Sequence, residues 1–543
     1  MKTKAITLMA GILLLSGLIL QANNINVTNI SLTGQNTTAG ENNAANYSLV
    51  KFDLSWENSW RVSTDPNNWD AAWVFVKYST DSKTWHHAFL NNSGHTAPSV
   101  ATVQAGLVNE KTAFDATTNP AVGAFVYRRE IGQGDFSPTG IQLRWNYGAN
   151  GVNDGAFVDI RVFAVEMVYV PEGAFYAGSG GTEEYAFYKY PKTTNPYQIT
   201  SENAITVGTS DGNLYYQIST WGGDNSGPIP TAFPKGFAGF YMQKYELSQQ
   251  AYVDFLNTLS REQQNSRTAT SLPSGTTSVT NRYVMSGTSP VSQRNGIRCD
   301  AKIAANESIN FYCDLNGNGI GGETNDGQGI ACNFLSWDDG TAWADWAGLR
   351  PFTELEYEKA CRGTSTPVAN EYAWGTAEIA SDKYTLSNAG AANEGIATDY
   401  NTSETVGNAC YSSTDGSNVG PLRGGIFAAN TNNTGRVTSG ASYYGIMELT
   451  GNLLERPVTV SNPEGRAFTG LHGNGSLIGA SHDVTNWPEG SNQIGAGFRG
   501  GDLGWGDLRA QVSDRHNAVY YNYERRFGYG FRVSRGMPSS QGE

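Results

Sequence analysis

From Asn23 to about Ala164 apolar and polar positions alternate with a period near two and show no helical repeat. SLVKFDLSW, AAWVFVKYS, GAFVYRRE, IQLRWNY and AFVDIRVFAV read as strands between Asn, Gly, Asp and Pro turns. The pattern predicts an antiparallel sandwich of immunoglobulin-like size over residues 23–165. Near Glu166 the register changes. FAGFYMQKYELSQQAYVDFLNTL reads as a strand and then a helix, which Ser248 can cap and in which Tyr252, Phe255, Leu256 and Leu259 form the apolar face. In ACNFLSWDDGTAWADWAGLRPFTELEYEKACRG, from Ala331 to Gly363, two short helices follow. Ser336 with Asp339, and Thr353 with Glu356, have capping-box spacing and satisfy N–H groups that a helix start leaves unpaired. Trp343, Trp346 and Ala347 share one face, as do Tyr357, Ala360 and Cys361, while Gly348 and Gly363 stand where positive φ ends a helix. Pro351 separates the two. The Gly-, Pro-, Ser- and Asn-rich stretch from Thr182 to Pro234 reads as a long surface excursion.

A chain of 543 residues exceeds one ordinary core and predicts two or more domains. Aromatics at 12% with 64 glycines predict a loop-rich fold with much β structure. The formal charge of −14 argues against a nucleic-acid partner and suits solubility or cation binding. Residues 1–22 read as a signal peptide: Lys2 and Lys4 precede the apolar run Ile6–Leu20, and Ala22 offers a cleavage point. Export to the periplasm, the cell surface or the medium is expected, with no membrane span later in the chain. The five cysteines, Cys299, Cys313, Cys332, Cys361 and Cys410, include no CxxC pair, and in an oxidising compartment some should pair, leaving one over. Trp56, Trp60, Trp69 and Trp73 are either core or a sugar-stacking face. The adjacent His86 and His87 would face opposite ways on a strand and make a poor metal pair.

The wording SWxDxxAxxxWAGxRxxTExExExACRG resembles the formylglycine-generating enzyme family, also called the sulfatase-modifying-factor family. EMVYVPEGAFYAGSGG is similar to its entry strand, and EYAWGT, GIMELTGNLLERPV, GFRGGD and GYGFRVSR resemble its later landmarks in family order. The resemblance covers residues 166–536 and leaves 537–543 as a polar tail. It implies an α+β chain in which the N-terminal antiparallel β-sandwich is followed by a C-type-lectin-like domain rich in irregular loops.

Calcium is the expected cofactor, at two places. In DLNGNGIGGETNDG the residues Asp314, Asn316, Asn318, Gly319 and Ile320 fill the early positions of an EF-hand-type loop, and Glu323 or Asp326 could supply the carboxylate absent at Asn325. An Asn/Gly turn that binds nothing is the alternative. In MELTGNLLE the resemblance implies a second site, with side-chain oxygens from Glu448 and Glu455 and carbonyls from Gly451 and Leu453. A further family calcium site could include Asn388.

Formylglycine-generating oxidases hold copper(I) through two cysteines shortly after the RGGS landmark, because copper(I) requires soft thiolates. Here no cysteine follows Cys410, so no copper is expected. Ser513, Asp514 and His516 are close in sequence, which is no sign of triad geometry. The resulting expectation is an exported, calcium-stabilised binding or surface-structural module without catalysis, with an unknown extracellular protein or glycan as partner. A formylglycine-generating-type oxidase and a carbohydrate-binding protein are the alternatives. The same scaffold serves as a ligand platform in diversified variable proteins. On that comparison Trp505, Arg509, Asp514, Arg515, Tyr521, Tyr523 and Arg525, with Tyr520 and Arg526 beside them, form the candidate ligand-binding segment, its aromatics being either exposed or buried. Family-like placement has Arg509, Asp514 and Arg515 either line the groove or, the favoured use, stiffen the core through buried Arg–carboxylate pairing.

Overall fold

The computed structural model describes residues 25–218, 221–381, 383–412, 420–489, 494–520 and 522–538. The expected signal peptide, Tyr521 and most of the polar tail lie outside the described residues. Among the described residues no helix is long and apolar enough to cross a membrane.

The strand Asp70–Ser79 is buried along its whole length, and its alternation shows why. Ala72, Val74, Val76 and Tyr78 turn to one core, shared with Val50, Phe52, Leu54 and Trp56 of the strand Tyr47–Arg61 and with Ile141, Leu143 and Trp145. Ala71, Trp73 and Phe75 turn to the opposite core, shared with Phe255, Trp343 and Trp346. The sheet that contains Asp70–Ser79 is therefore a middle layer. On one side lies a four-stranded sheet built on Asn26–Asn36 and Tyr47–Arg61, and the two make the expected antiparallel sandwich. On the other lie the helices α1 (Gln249–Leu256), α2 (Arg261–Ser266), α3 (Trp337–Trp346) and α4 (Glu354–Arg362) with their loops.

The boundary expected at 165 falls inside a strand. Asp159–Val170 pairs with Asp70–Ser79 from Asp159↔Ser79 to Val168↔Asp70, and its far edge takes Phe240–Gln243, which pairs in turn with Ser534–Gly536. No linker separates the two segments there. The stretch from 182 to 234 also departs from expectation. Phe187, Ile199, Ile205, Leu214, Tyr216, Ile229 and Phe233 are buried in the main core, so it is a folded part of the domain and not a surface excursion. Short hairpins, such as Tyr188–Lys189 with Leu214–Tyr215, carry these residues inward.

All five cysteines are buried and none forms a disulfide, which corrects the expected pairing: each is a free thiol packed as a small core residue. Trp56 and Trp73 are core, and Trp60 and Trp69 are largely covered, which leaves no sugar-stacking face there. His86 is exposed and His87 buried.

Candidate functional site

Helices α3 and α4 begin on the capping boxes read from sequence: Ser336 with Asp339, and Thr353 with Glu356, each close reciprocally. They bury polar side chains as well as apolar ones. Glu354 accepts from Arg515 Nε at 2.7 Å, Arg499 Nη2 at 3.1 Å and the Val460 N–H at 2.8 Å. Burial opposes its charge, but Arg515 and Arg499 outweigh that and hold the carboxyl down at about 2. Glu358, Arg362 and Glu371 extend this array one turn further.

The turn from Gly445 to Glu455 is held by the same interior. Glu448, Gly451 and Asn452 have positive φ, so successive peptide planes swing to an orientation that ordinary turns do not use. Glu448 Oε1 accepts from the Gly425 N–H at 2.7 Å, and Glu455 Oε1 from Arg532 Nε at 2.6 Å. The second oxygen of each carboxylate, Glu448 Oε2 and Glu455 Oε2, is buried with no hydrogen-bond partner. Burial raises both carboxyls, that of Glu448 to about 7. Sequence reading missed a third acid. Glu246 accepts from the Leu453 N–H at 2.9 Å and from the Asn452 amide, and burial raises it too. Its only sequence signal was its place in KYELS, just before a capped helix.

Those two unpartnered oxygens are the observation that tests a hard cation at this turn. Buried carboxylate oxygens without donors are costly, and a divalent ion with oxygen preference supplies what they lack. Glu448 and Glu455 have the donor chemistry such an ion requires, with the Gly451 and Leu453 carbonyls on the same turn, although among the described residues no three His, Cys, Asp or Glu side chains are grouped to hold a metal.

The loop from Asp314 to Gly327 is different. Asp314 is buried and already satisfied: it accepts from the Gly317 N–H at 3.0 Å and the Gly319 N–H at 3.1 Å and pairs with Arg298. Asn316 Nδ2 lies 3.0–3.1 Å from oxygens of Glu323, Asn325 and Asp326, so one amide nitrogen is shared by three acceptors. Asn318 also donates to Glu323, and Ile320 is exposed with its N–H on Asn318 Oδ1. Burial raises Asp326 to about 6. Asn388 has positive φ and is exposed.

The segment after Gly501 divides its candidates. Arg515 is fully buried, clamped on Glu354 and lying over the Phe187 and Tyr216 rings at 3.9 and 4.3 Å. Arg525 forks onto Asp339 with two contacts of 2.7 Å and also donates to the Thr268 and Ser266 carbonyls. Neither is available to a ligand. Arg509 bridges Asp514 and Glu184 at 3.1 Å each, and His516 Nδ1 also reaches Glu184, which makes a charged cluster at the surface. Ser513 binds Arg362 and Glu358 and takes no part with His516. Trp505, Leu508, Tyr523 and Phe527 are 38%, 59%, 65% and 41% exposed. Phe527 flanks Gly504, the residue before Trp505, where an added Cβ would meet its ring at 3.4 Å. Leu508 and Phe527 were not singled out from sequence, because nothing in a pattern separates an exposed aromatic in an irregular loop from a buried one.

Among the described cysteines, burial raises the Cys299 thiol to about 11 and pushes those of Cys313, Cys332 and Cys361 up as well. These are thiols in apolar surroundings and not the exposed thiolates that bind soft metals. A family model described as a sulfatase-modifying factor enzyme 1-like domain matches residues 161–535, starting a little before Glu166. No curated protein matches the chain.

Proposed function

We propose, on the premise that this chain belongs to the sulfatase-modifying-factor family, that it is a non-catalytic exported module, stabilised by calcium, which presents its last segment to an extracellular protein or glycan. The observation that carries this reading is chemical. The segment from Gly501 to Arg535, where the family resemblance calls for a pair of copper-binding cysteines, contains none. Thiolates are the only side chains soft enough to favour copper(I) while also exchanging with a substrate cysteine. Acids and guanidiniums occupy that region instead, Arg509 paired with Asp514 within it and Arg515 and Arg525 with Glu354 and Asp339 outside it.

Calcium has a structural part in this reading. Glu448 and Glu455 would hold the ion with the Gly451 and Leu453 carbonyls, and Glu323 and Asp326 of the loop after Asp314 would be a second place for one, Asp314 itself being engaged by Arg298 and backbone N–H groups. What calcium supplies is positive charge for oxygens that burial otherwise leaves unpaired. Glu246 fixes the turn by taking the Leu453 N–H, and Arg532 orients Glu455. The exposed aromatics Trp505 and Phe527 are the contact surface, and the charged Arg509 and Glu184 of the same segment's surroundings offer polar contacts.

The test is direct. Purified protein, with added copper, is incubated with a sulfatase-type cysteine peptide, and aldehyde is assayed. No aldehyde above the enzyme-free control is expected, and production above it would sink the non-catalytic reading. Thermal unfolding with chelator and with calcium tests the other half. Excess calcium near a hundred times its dissociation constant should contribute roughly 2.7 kcal/mol per site. Magnesium should substitute poorly because it requires a tighter shell.

A further inference from the structure

Three ionisable side chains meet where the middle sheet passes from the N-terminal segment to the family domain. Lys244 follows the strand Phe240–Gln243, and its Nζ lies 3.1 Å from Glu166 Oε2 and 3.4 Å from Asp70 Oδ2. All three side chains are almost completely buried. The Trp60 and Tyr245 rings cover the ammonium at 4.9 and 5.3 Å, so water is largely displaced from it. Asp70 is held from the other side as well. Its Oδ1 accepts from the Ser59 hydroxyl at 2.8 Å and the Trp60 N–H at 3.0 Å, and its Oδ2 from the Trp56 indole at 2.9 Å. Glu166 Oε1 has no partner, and burial raises this carboxyl to about 7 against the pull of Lys244. Burial would lower the Lys244 ammonium, but Tyr245, Glu166 and Asp70 outweigh it and hold it above its usual range.

An ordinary buried ion pair explains the proximity but leaves two acids to one base in a dry site, an expensive arrangement. The remaining features have a chemical use. An amine attacks a carboxyl only if something removes its proton, something protonates the departing oxygen, and donors stabilise the other oxygen as charge builds there. Glu166 can do the first two, and Ser59 with the Trp60 N–H does the third. Fixed placement in the folded protein supplies the effective concentration.

We propose that Lys244 and Asp70 become joined in the folded protein by an amide bond between Lys244 Nζ and Asp70 Cγ. Glu166 takes one proton from the ammonium and passes it to Oδ2, and the neutral amine adds to Cγ of the resulting carboxylic acid. The tetrahedral intermediate keeps its negative charge on Oδ1, facing Ser59 and Trp60. Glu166 then removes a second proton from the nitrogen and delivers it to Oδ2 as well. The Cγ–Oδ2 bond then breaks and water leaves. The ammonium's three hydrogens end as one on the amide and two in the water, Glu166 returns to its starting state, and no oxidant is involved. One positive and one negative charge disappear from a site that solvates neither. The product ties together positions 174 residues apart.

Mass spectrometry of the denatured full chain decides the matter. The expected result is a mass lower by one water, with a branched tryptic peptide that contains both Asp70 and Lys244. Wild-type protein that keeps separate linear peptides for the two residues would overturn the proposal. Lys244→Arg and Glu166→Gln should both show the uncondensed mass, because the first lacks a suitable nucleophile and the second cannot relay protons. A branched peptide in Glu166→Gln would refute the assignment to Glu166. Should either variant fail to fold, the wild-type peptide map still gives a yes or a no.

Discussion

Asp339 carries more than its place on a helix suggests. It closes the capping box of α3 by accepting the Ser336 N–H at 2.9 Å, and its oxygens also take Arg525 and Arg267. Burial alone would raise its pKa, yet the two guanidiniums hold it below the ordinary value. Removing Arg525 strips the forked partner from a fully buried carboxylate. Arg525→Ala should therefore cost about 3–5 kcal/mol in urea unfolding, the usual penalty for an orphaned buried charge. A loss under 1 kcal/mol would mean that Arg267 and the cap suffice. Glu448 carries the opposite sign. Its folded pKa of about 7 lies above the reference 4.5, so its contribution to stability is complete below about 4.5 and is lost as pH rises through about 7. Asp345, raised by burial to about 7, acts in the same direction. Chelated protein should lose stability across that window. Calcium should flatten the slope, because an ion at Glu448 favours the deprotonated form. Melting temperatures against pH, with chelator and with calcium, check this, and parallel curves would remove Glu448 from the site.

Helix α4 shows how far an element could be read in advance. Its cap, its buried face of Tyr357, Ala360 and Cys361, and its stop at Gly363 with φ 67° all follow from local chemistry. Thr353 Oγ1 accepts the Glu356 N–H at 3.1 Å and donates to the Pro234 carbonyl at 2.9 Å. Thr353→Ala removes both bonds and should cost about 1–2 kcal/mol by denaturant unfolding. A smaller change would indicate that Glu356, still on the Thr353 N–H and Arg350, holds the turn by itself. The short α2 was not read, although Ser260 and Gln263 close a capping box there, because its six residues carry no apolar stripe. The 182–234 stretch was misread for a related reason. Its buried residues, such as Phe187, Leu214 and Phe233, are isolated among Gly, Asn and Pro, and only tertiary pairing shows which way each points. The acids of the 445–455 turn were legible because the family wording fixes their spacing. Buried Arg–carboxylate pairing was expected of Arg515 and is found, but its partner was not legible and neither was the pairing of Arg525, since Glu354 and Asp339 lie 161 and 186 residues away in the chain.

At the scale of the molecule the middle sheet joins what the sequence pattern divides. Trp73, on an N-terminal strand, donates its indole N–H to the Ala347 carbonyl at 2.7 Å, at the end of α3. Arg535, near the other end of the domain, lies 4.2 Å over the same indole ring and reaches the Gly348 and Leu107 carbonyls and Glu110. Gly123 is small because Trp73 lies against it: an added Cβ would come within 2.4 Å of the ring. Severing the chain between Val165 and Glu166 would cut the strand Asp159–Val170 in mid-ladder and uncover both halves of this contact. The N-terminal fragment would expose Trp73 and Phe75, and the C-terminal fragment Trp343, Trp346 and Phe255. Exposed apolar faces of that kind drive association. Each fragment made alone should be insoluble or should unfold without a cooperative transition, while the intact chain melts as one unit. Two soluble monomeric fragments with separate sharp transitions would show that the shared sheet is dispensable. An amide between Lys244 and Asp70 sharpens the test, because it would span the cut. Intact protein nicked near residue 165 after folding should then keep its pieces together under denaturing conditions, whereas Lys244→Arg protein nicked in the same way should release them.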